Sequence, residues 1–336
     1  MTRRDRTTGL PTQSRLNNSV EKRNFFKSLQ DGRYALIGAT VLLFLFVVGF
    51  FAYGFYEKDN WGGKTILVVG SESFSLRYYA DRFFYFRQSN PSVGIPILQE
   101  SLLFTLENEA LVKIIASERG IVVNDDVLEK AIEALLGVPK KLDGNSNKDF
   151  EIYLNNQIER TGMERSSFER LISAIEVERL LLDDLKQEVP IAGVMLTYRS
   201  VAVRGESDAR DIYVRVQDGE DMGFIAQTES LNRAERQNDG LVIKPLNLVP
   251  EEILDALEKL EIGGPPSEPI QLDENIWIVV RYENRQLNQS YSTEYINALT
   301  AKYLANLVRS TRTRVPIKRN LDFVDIELIE EHVRLE

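Results

Sequence analysis

The residue types that most often carry catalysis are scarce in this chain. It has no cysteine, and its one histidine, His332, is the fifth residue from the end. Thiolate catalysis, disulfides and cysteine-ligated metals are therefore excluded, as are a histidine-based triad and a poly-histidine metal site. The lack of cysteine also fits a compartment where stray thiols would be a hazard. We expect neither a metal nor a cofactor.

Two weaker signals are better explained without chemistry. Acidic pairs occur at Asp125–Asp126, Asp183–Asp184 and Glu330–Glu331. Adjacent residues of a helix point in different directions, so these pairs indicate solvated faces rather than a metal or acid–base site. The run 62–65, GGKT, resembles the end of a phosphate-binding loop. However, the first glycine of that motif is replaced by Lys58, and no strand precedes it.

The strongest single feature is an apolar run near the N-terminus. Residues 34–56, YALIGATVLLFLFVVGFFAYGFY, contain no charged side chain. As a helix they span roughly 34 Å, enough for a hydrocarbon core of about 30 Å. A buried core helix would rarely be apolar on every face, and a cleaved signal peptide would have a shorter run with a small-residue cleavage site. The run therefore predicts one transmembrane helix.

Charge predicts the orientation of this helix. Residues 1–33 carry eight basic and three acidic side chains, whereas the other flank begins with Glu57, Lys58 and Asp59. The excess of basic residues favours a cytoplasmic N-terminus and an extracytoplasmic main region, as in a single-pass plasma-membrane protein. The basic tail lacks interleaved aromatic residues, and the remainder of the chain has 33 basic and 48 acidic residues. Neither part favours nucleic acid as a partner.

An aromatic cluster follows the predicted membrane helix. Its members are Phe74, Tyr78, Tyr79, Phe83, Phe84, Tyr85 and Phe86. Helical spacing assigns part of the cluster to the core, but these rings cannot all face inward. We therefore expect a partly exposed patch near the membrane that binds apolar peptide segments or a membrane partner. The candidate binding residues are Tyr78, Tyr79, Phe83, Phe84 and Phe86.

The periodicity of apolar residues changes twice along the chain. A strand at 65–69 precedes a helix-rich block that runs to about residue 188, and Asn124 is placed to cap one of its helices. The last helix of the block has an apolar stripe formed by Phe168, Leu171, Ile172, Ile175, Leu182 and Leu185. After Pro190 the pattern becomes mixed, with strands at 195–203 and 276–280. A long helix then returns near residue 295, which suggests an inserted domain.

Several segments match sequence patterns of known protein domains. Residues 116–132, ASERGIVVNDDVLEKAI, are similar to the Ala-x-x-x-Gly-Ile-x-Val-x-Asp segment of the SurA-type chaperone domain. Residues 162–182 resemble the helix that follows it in that domain. Residues 206–230 and 248–270 resemble the Gly-x-Asp-Phe-x-x-Ala and Gly-x-x-Ser-x-Pro segments of parvulin-type prolyl isomerases. In these segments the chain resembles the SurA/PrsA-type extracytoplasmic foldases. The likeness covers roughly residues 64–315 and implies a folding factor that binds unfolded, exported chains.

The chain departs from the parvulin pattern at the catalytic pocket. Where the family has a histidine in its first strand this chain has Ser200, and where it has a histidine in its last strand this chain has Trp277. The family's Cys or Asp falls near Asn232, and its Gly-Gly-Asp-Leu-Gly turn is reduced to residues 239–241. The resemblance therefore implies a degenerate pocket formed by Ser200, Asn232 and Trp277, and we assign no catalytic residue.

These observations predict an α+β protein with a single N-terminal transmembrane helix. Residues 1–33 form the cytoplasmic tail, and 34–56 the membrane helix. A mostly helical chaperone domain, 64–190, is completed by a C-terminal helix and tail, 290–336. A parvulin-like α+β domain, 194–285, is inserted between them.

Three functions remain open at this point. The preferred one is a membrane-anchored chaperone that binds unfolded or nascent exported polypeptides, with a parvulin-like domain that is weak or inactive. The second is an active prolyl isomerase, because twisting an X–Pro bond requires no nucleophile. The third is a scaffold or assembly subunit of a membrane complex, which the missing catalytic positions and the aromatic patch would suit.

Overall fold

A computed structural model describes residues 61–142, 145–322 and 329. The predicted tail at 1–33 and the predicted membrane helix at 34–56 lie outside the described residues. Among the residues described, no helix is both long enough and apolar enough to cross a bilayer. Helices and separate sheets make up the described chain. The fold class is therefore α+β, as the sequence predicted.

The chain divides into two compact units, residues 1–65 with 75–77 and residues 66–74 with 78–336. The described part of the first unit is short. Trp61–Gly63 forms a 3-10 turn, and the backbone N–H of Leu76 donates to the carbonyl of Lys64 at 2.7 Å. The second unit contains the long helices and the largest sheet.

A helical block follows two strands, β1 (Thr65–Val69) and β2 (Glu72–Ser75). Its helices are α1 (Leu76–Ser89), α2 (Ile95–Glu118), α3 (Asp125–Leu136), α4 (Lys148–Thr161) and α5 (Arg165–Leu185). Asn124 caps α3 as predicted, because its side chain accepts a hydrogen bond from the Val127 N–H at 3.0 Å. The segment after α3 contains a short hairpin of β3 (Lys141–Leu142) and β4 (Asn145–Ser146).

Residues 192–290 form the sheet module. Its elements are β5 (Ala192–Arg204), α6 (Glu206–Gln217), α7 (Met222–Glu229), α8 (Arg233–Gln237), β6 (Leu241–Pro245), α9 (Glu251–Leu257), β7 (Ile270–Asp273) and β8 (Ile276–Ser290). The strands are antiparallel in the order β6-β5-β8-β7. Alternation along β5 gives the sheet two apolar faces. Val201 and Val203 pack with α6 and α7, and Leu196 and Tyr198 pack with α9.

The last long helix, α10 (Thr293–Arg314), packs against both α2 and α5. Leu304 of α10 lies in one buried cluster with Val112 of α2 and Leu181 of α5. After α10 the strand β9 (Ile317–Arg319) pairs antiparallel with β1. The sheet module is thus flanked in sequence by two helices, α5 and α10, that pack against each other.

A buried carboxylate joins α2, α10 and β9. Glu107 of α2 is 1% exposed and accepts hydrogen bonds from Arg312 of α10 and Arg319 of β9. Arg319 also bonds to the exposed Glu100 at 2.9 Å. Burial alone would raise the pKa of Glu107, but the hydrogen bonds from Arg319 and Arg312 outweigh burial and hold that pKa below its usual 4.5. The ionised form of Glu107 therefore stabilises the fold.

The variant Glu107→Gln should destabilise the helical block by about 1–3 kcal/mol, because it removes charge-assisted hydrogen bonds inside the protein. Urea unfolding followed by far-UV circular dichroism measures the change. Glu100→Gln is the matched control: Glu100 binds the same arginine but is largely exposed, so the expected change is within about 0.5 kcal/mol. Equal effects of the two substitutions would contradict this account.

The difference in unfolding free energy between the original chain and Glu107→Gln should depend on pH, and the pKa shift of Glu107 gives the sign. Because the folded-state pKa of Glu107 is depressed, its stabilisation is complete above the unfolded value of 4.5 and is lost as the pH falls through the folded pKa. The difference between the original chain and Glu107→Gln should therefore shrink below pH 4.5. A difference that stayed constant or grew on acidification would show that the charge of Glu107 is not responsible.

Candidate functional site

An open groove of about 690 Å³ lies where α2, α5 and α10 meet. Its apolar lining includes the buried Val112 and Leu304, together with Leu182 and Val308, which also pack on the helical core. Small side chains on two of the helices, Ala174 of α5 and Ala301 and Ala305 of α10, complete this surface. Short side chains leave room above the core for an added chain.

Two large apolar side chains of the groove are exposed to solvent. Phe104 is 53% exposed and Ile175 is 55% exposed, and both line the groove. The Arg312 guanidinium lies 4.9 Å from the centre of the Phe104 ring, at a distance typical of a cation–π contact. The sequence placed Ile175 in the core stripe of its helix, but the structure places it at the groove. The groove therefore presents apolar surface that is available for binding.

The predicted aromatic binding patch is wrong for three of its five residues. Tyr78, Tyr79 and Phe83 of α1 are 4%, 0% and 1% exposed, because helical spacing turns them into the core. Phe84 and Phe86 are half-buried. The buried rings are structural.

Charged groups hold the first of these rings in place. The Tyr78 ring has the Arg170 guanidinium 4.5 Å from its centre. Its hydroxyl accepts a hydrogen bond at 2.8 Å from Arg82, and Arg82 is itself paired with Glu109. Burial raises the pKa of Tyr78 despite the neighbouring positive charge of Arg82. Contacts with Arg170 and Arg82 thus hold the Tyr78 side chain in place on this face of α1.

In the sheet module, two of the three predicted pocket residues meet at a carboxylate. The Ser200 hydroxyl donates to Glu235 Oε1 at 2.9 Å, and the Asn232 side-chain amide donates to the same oxygen at 3.3 Å. The other oxygen, Oε2, accepts from the Ala202 N–H at 3.2 Å and from the Ser230 hydroxyl. Glu235 is 5% exposed and Ser200 is 1% exposed. The polar groups of this cluster are therefore hydrogen-bonded to one another.

Trp277 does not join this cluster. In the antiparallel register Ser200 lies opposite Val280, three residues after Trp277 on β8. An odd separation places two side chains of a strand on opposite faces of the sheet. Accordingly, Trp277 packs against the apolar cluster that contains Val201 and Val279. The three predicted positions therefore do not line one cleft.

Glu235 is the residue of this cluster that the sequence did not reveal. Asn232 is the N-cap of α8, and its side chain accepts a hydrogen bond from the Ala234 N–H at 2.9 Å. Asn-x-x-Glu is close to a capping box, in which the glutamate would bond to its own helix. Instead, Glu235 reaches to β5. Burial and the negative charge of Glu235 raise the pKa of the nearby Tyr198 to about 12, so this tyrosine is neutral at physiological pH.

A glycine turn supports the same cluster. Gly240 has a φ of +73°, and an added Cβ would lie 2.7 Å from the carbonyl oxygen of Ser200. The Ser200 N–H donates to the Gly240 carbonyl at 2.8 Å. Within the reduced turn at 239–241, the backbone geometry therefore requires glycine at position 240.

The second unit has two parts, and their combination defines its structural class. It combines a helical block that carries an apolar groove with an antiparallel sheet module of order β-α-α-α-β-α-β-β.

Comparison with known proteins shows what the chain is similar to. No protein-family model matches the chain. The foldase protein PrsA of Oceanobacillus iheyensis is 24% identical over 229 residues, which are 67% of this chain and 75% of that protein. This similarity confirms the resemblance to SurA/PrsA-type foldases that the sequence indicated.

Solved structures of similar proteins include PrsA of Bacillus anthracis, a peptidylprolyl isomerase. It is 16% identical, the match covers 63% of this chain and 96% of that one, and the TM-score is 0.43. Another is a SurA-like chaperone of Campylobacter jejuni, 12% identical, with coverage of 76% and 98% and a TM-score of 0.28.

Proposed function

We propose that this protein is a membrane-anchored folding factor that binds unfolded, exported polypeptides in the groove between α2, α5 and α10. In this proposal the sheet module is parvulin-like in descent but does not catalyse prolyl isomerisation. The helical block and α10 act as the chaperone domain, with the sheet module inserted between them. The similarity to PrsA supports the general role, and the groove supports the assignment of the binding site.

The observation that carries the proposal is the exposure of Phe104 and Ile175 above an apolar floor. Burying one such side chain contributes about 1.5–3 kcal/mol to binding. Part of this free energy is offset by the cost of ordering the client. Two or three buried side chains therefore give at most about micromolar affinity. Binding of this strength is reversible. A folding factor needs that property, because its client must leave in order to fold.

The occupied cluster around Glu235 supports the absence of isomerase activity. Uncatalysed prolyl isomerisation crosses a barrier of about 18–20 kcal/mol, and an enzyme must hold the twisted amide with available polar groups. Ser200 donates its hydroxyl proton to Glu235 and is 1% exposed. Trp277 lies on the other face of the sheet. Neither position offers a substrate the group that a parvulin histidine would supply.

Residues 34–56 support the membrane anchor through their length and lack of charge. Tethering raises the effective concentration of the binding groove at the membrane surface where exported chains emerge. With the basic flank in the cytoplasm, the groove lies outside the cell membrane.

Replacement of the groove residue Ile175 should weaken client binding. Ile175→Gln removes one apolar anchor, so the concentration needed to suppress aggregation of a denatured client should rise roughly tenfold. Light scattering with the full chain in lipid nanodiscs measures this concentration. Ile152→Gln is the matched control, since Ile152 lies on α4, is 56% exposed and is absent from the groove lining. Equal protection by the two variants would argue against the groove.

The full chain should not accelerate a refolding reaction that is limited by prolyl isomerisation. The expected rate equals the uncatalysed rate at every protein concentration, because Ser200 and Asn232 are engaged by Glu235. An active parvulin serves as the positive control. Acceleration that rises with concentration and is lost in Ser200→Ala would show that the pocket is catalytic after all.

The anchor has its own test in cells. The chain should stay in the membrane pellet after alkaline extraction, and external protease should degrade the region after residue 60 in spheroplasts while sparing an N-terminal epitope. Release by alkali or protection of the main region would overturn the proposed topology.

A further inference from the structure

The groove is lined by six polar side chains, four of which are already satisfied by the protein. Thr105 donates to the Ser101 carbonyl at 2.8 Å, and Glu109 is paired with Arg82 at 2.7 Å. Arg312 binds Glu107 and also donates to Asn108 at 3.0 Å. These groups have little capacity left for a bound chain.

The two remaining polar residues of the groove are Glu178 of α5 and Arg309 of α10. Both are exposed. Across residues 61–142 and 145–322, no ion pair or side-chain hydrogen bond involves either of them. One negative and one positive charge, borne by different helices, therefore border an apolar surface and are available to a ligand.

We propose that the groove selects client segments by charge as well as by apolar content. This inference rests on the proposed function and adds a preference for particular clients. The preferred segment carries apolar side chains for the surface around Phe104 and Ile175. It also carries a basic residue that pairs with Glu178 and an acidic residue that pairs with Arg309. Segments with one of these charges bind less tightly, and purely apolar segments bind least tightly.

Charge complementarity favours a client over the end of this chain itself. Residues 323–336 contain five acidic side chains and one arginine. Such a segment suits Arg309 but brings a net negative charge to Glu178. An unfolded client can present basic and acidic side chains in balance near apolar residues, so it is the occupant that matches both charges of the groove.

Four labelled peptides test this selection with the full chain. They share one apolar core and carry a lysine, a glutamate, both residues or neither, with glutamine at the uncharged positions. Fluorescence anisotropy should give the order both, then one, then neither, with steps of about two- to fivefold, the range of an exposed ion pair. These steps should largely vanish at 1 M salt, where the screening length is about 3 Å.

Charge-reversal variants assign each step to a residue. Glu178→Lys should abolish the gain from the peptide lysine and leave the gain from the glutamate, whereas Arg309→Glu should do the reverse. The matched controls are Glu159→Lys and Arg160→Glu on α4, where both residues are exposed and lie outside the groove. These controls should leave every affinity unchanged.

The possible outcomes separate this inference from the proposed function. Equal binding of all four peptides, still weakened by Ile175→Gln, would overturn charge selection and leave the groove assignment standing. Failure of every peptide to bind would overturn both.

Two other occupants would also overturn the inference. A variant ending at Asp322 that binds at least tenfold tighter would reveal the chain's own tail in the groove, and affinity that falls as protein concentration rises would reveal a second copy.

Discussion

The buried carboxylate of Glu107 is the contact on which the architecture of the helical block depends. Through Arg312 and Arg319 it fixes α10 and β9 to α2. It thereby holds the groove wall formed by α10 and the strand that pairs with β1. A carboxylate that is 1% exposed is stable in its charged form only because two guanidiniums compensate for its lost hydration. The arginines of α10 and β9 are joined to α2 at this point by electrostatics, and α10 is joined to α2 also by the apolar cluster around Leu304.

Glu235 has a comparable role in the sheet module, with neutral donors in place of arginines. Two hydroxyls, an amide and a backbone N–H surround its carboxylate. Satisfying every lone pair makes such a cluster rigid, because loss of any donor exposes a desolvated acceptor. Rigidity of this kind suits a structural module. It does not suit a pocket that must exchange hydrogen bonds with a substrate, which agrees with the proposal that the sheet module is not catalytic.

Local signals allowed much of the fold to be predicted from the sequence. The Asn124 cap, the break at Pro190 and the strand at 65–69 depend on residues close together in the chain, and the structure has each of them. The partners of Glu235 on β5 lie 33 and 35 residues away, and nothing in the Asn232-x-x-Glu235 pattern indicates that direction. Likewise, periodicity placed Ile175 and the α1 aromatics on apolar faces, but it could not tell which faces a third helix would cover.

The position of α10 links the sheet module to the groove. Near its start, the Tyr295 hydroxyl donates to the Ile243 carbonyl of β6 at 2.6 Å, and Leu299 packs with Met195 of β5. Further along, Leu304, Val308 and Arg312 line the groove. One continuous helix therefore connects the sheet module with the binding surface. A helix transmits position along its axis because its backbone hydrogen bonds resist bending. The sheet module thus braces one wall of the groove, and under the proposed function this constraint would maintain its packing residues in the absence of catalysis.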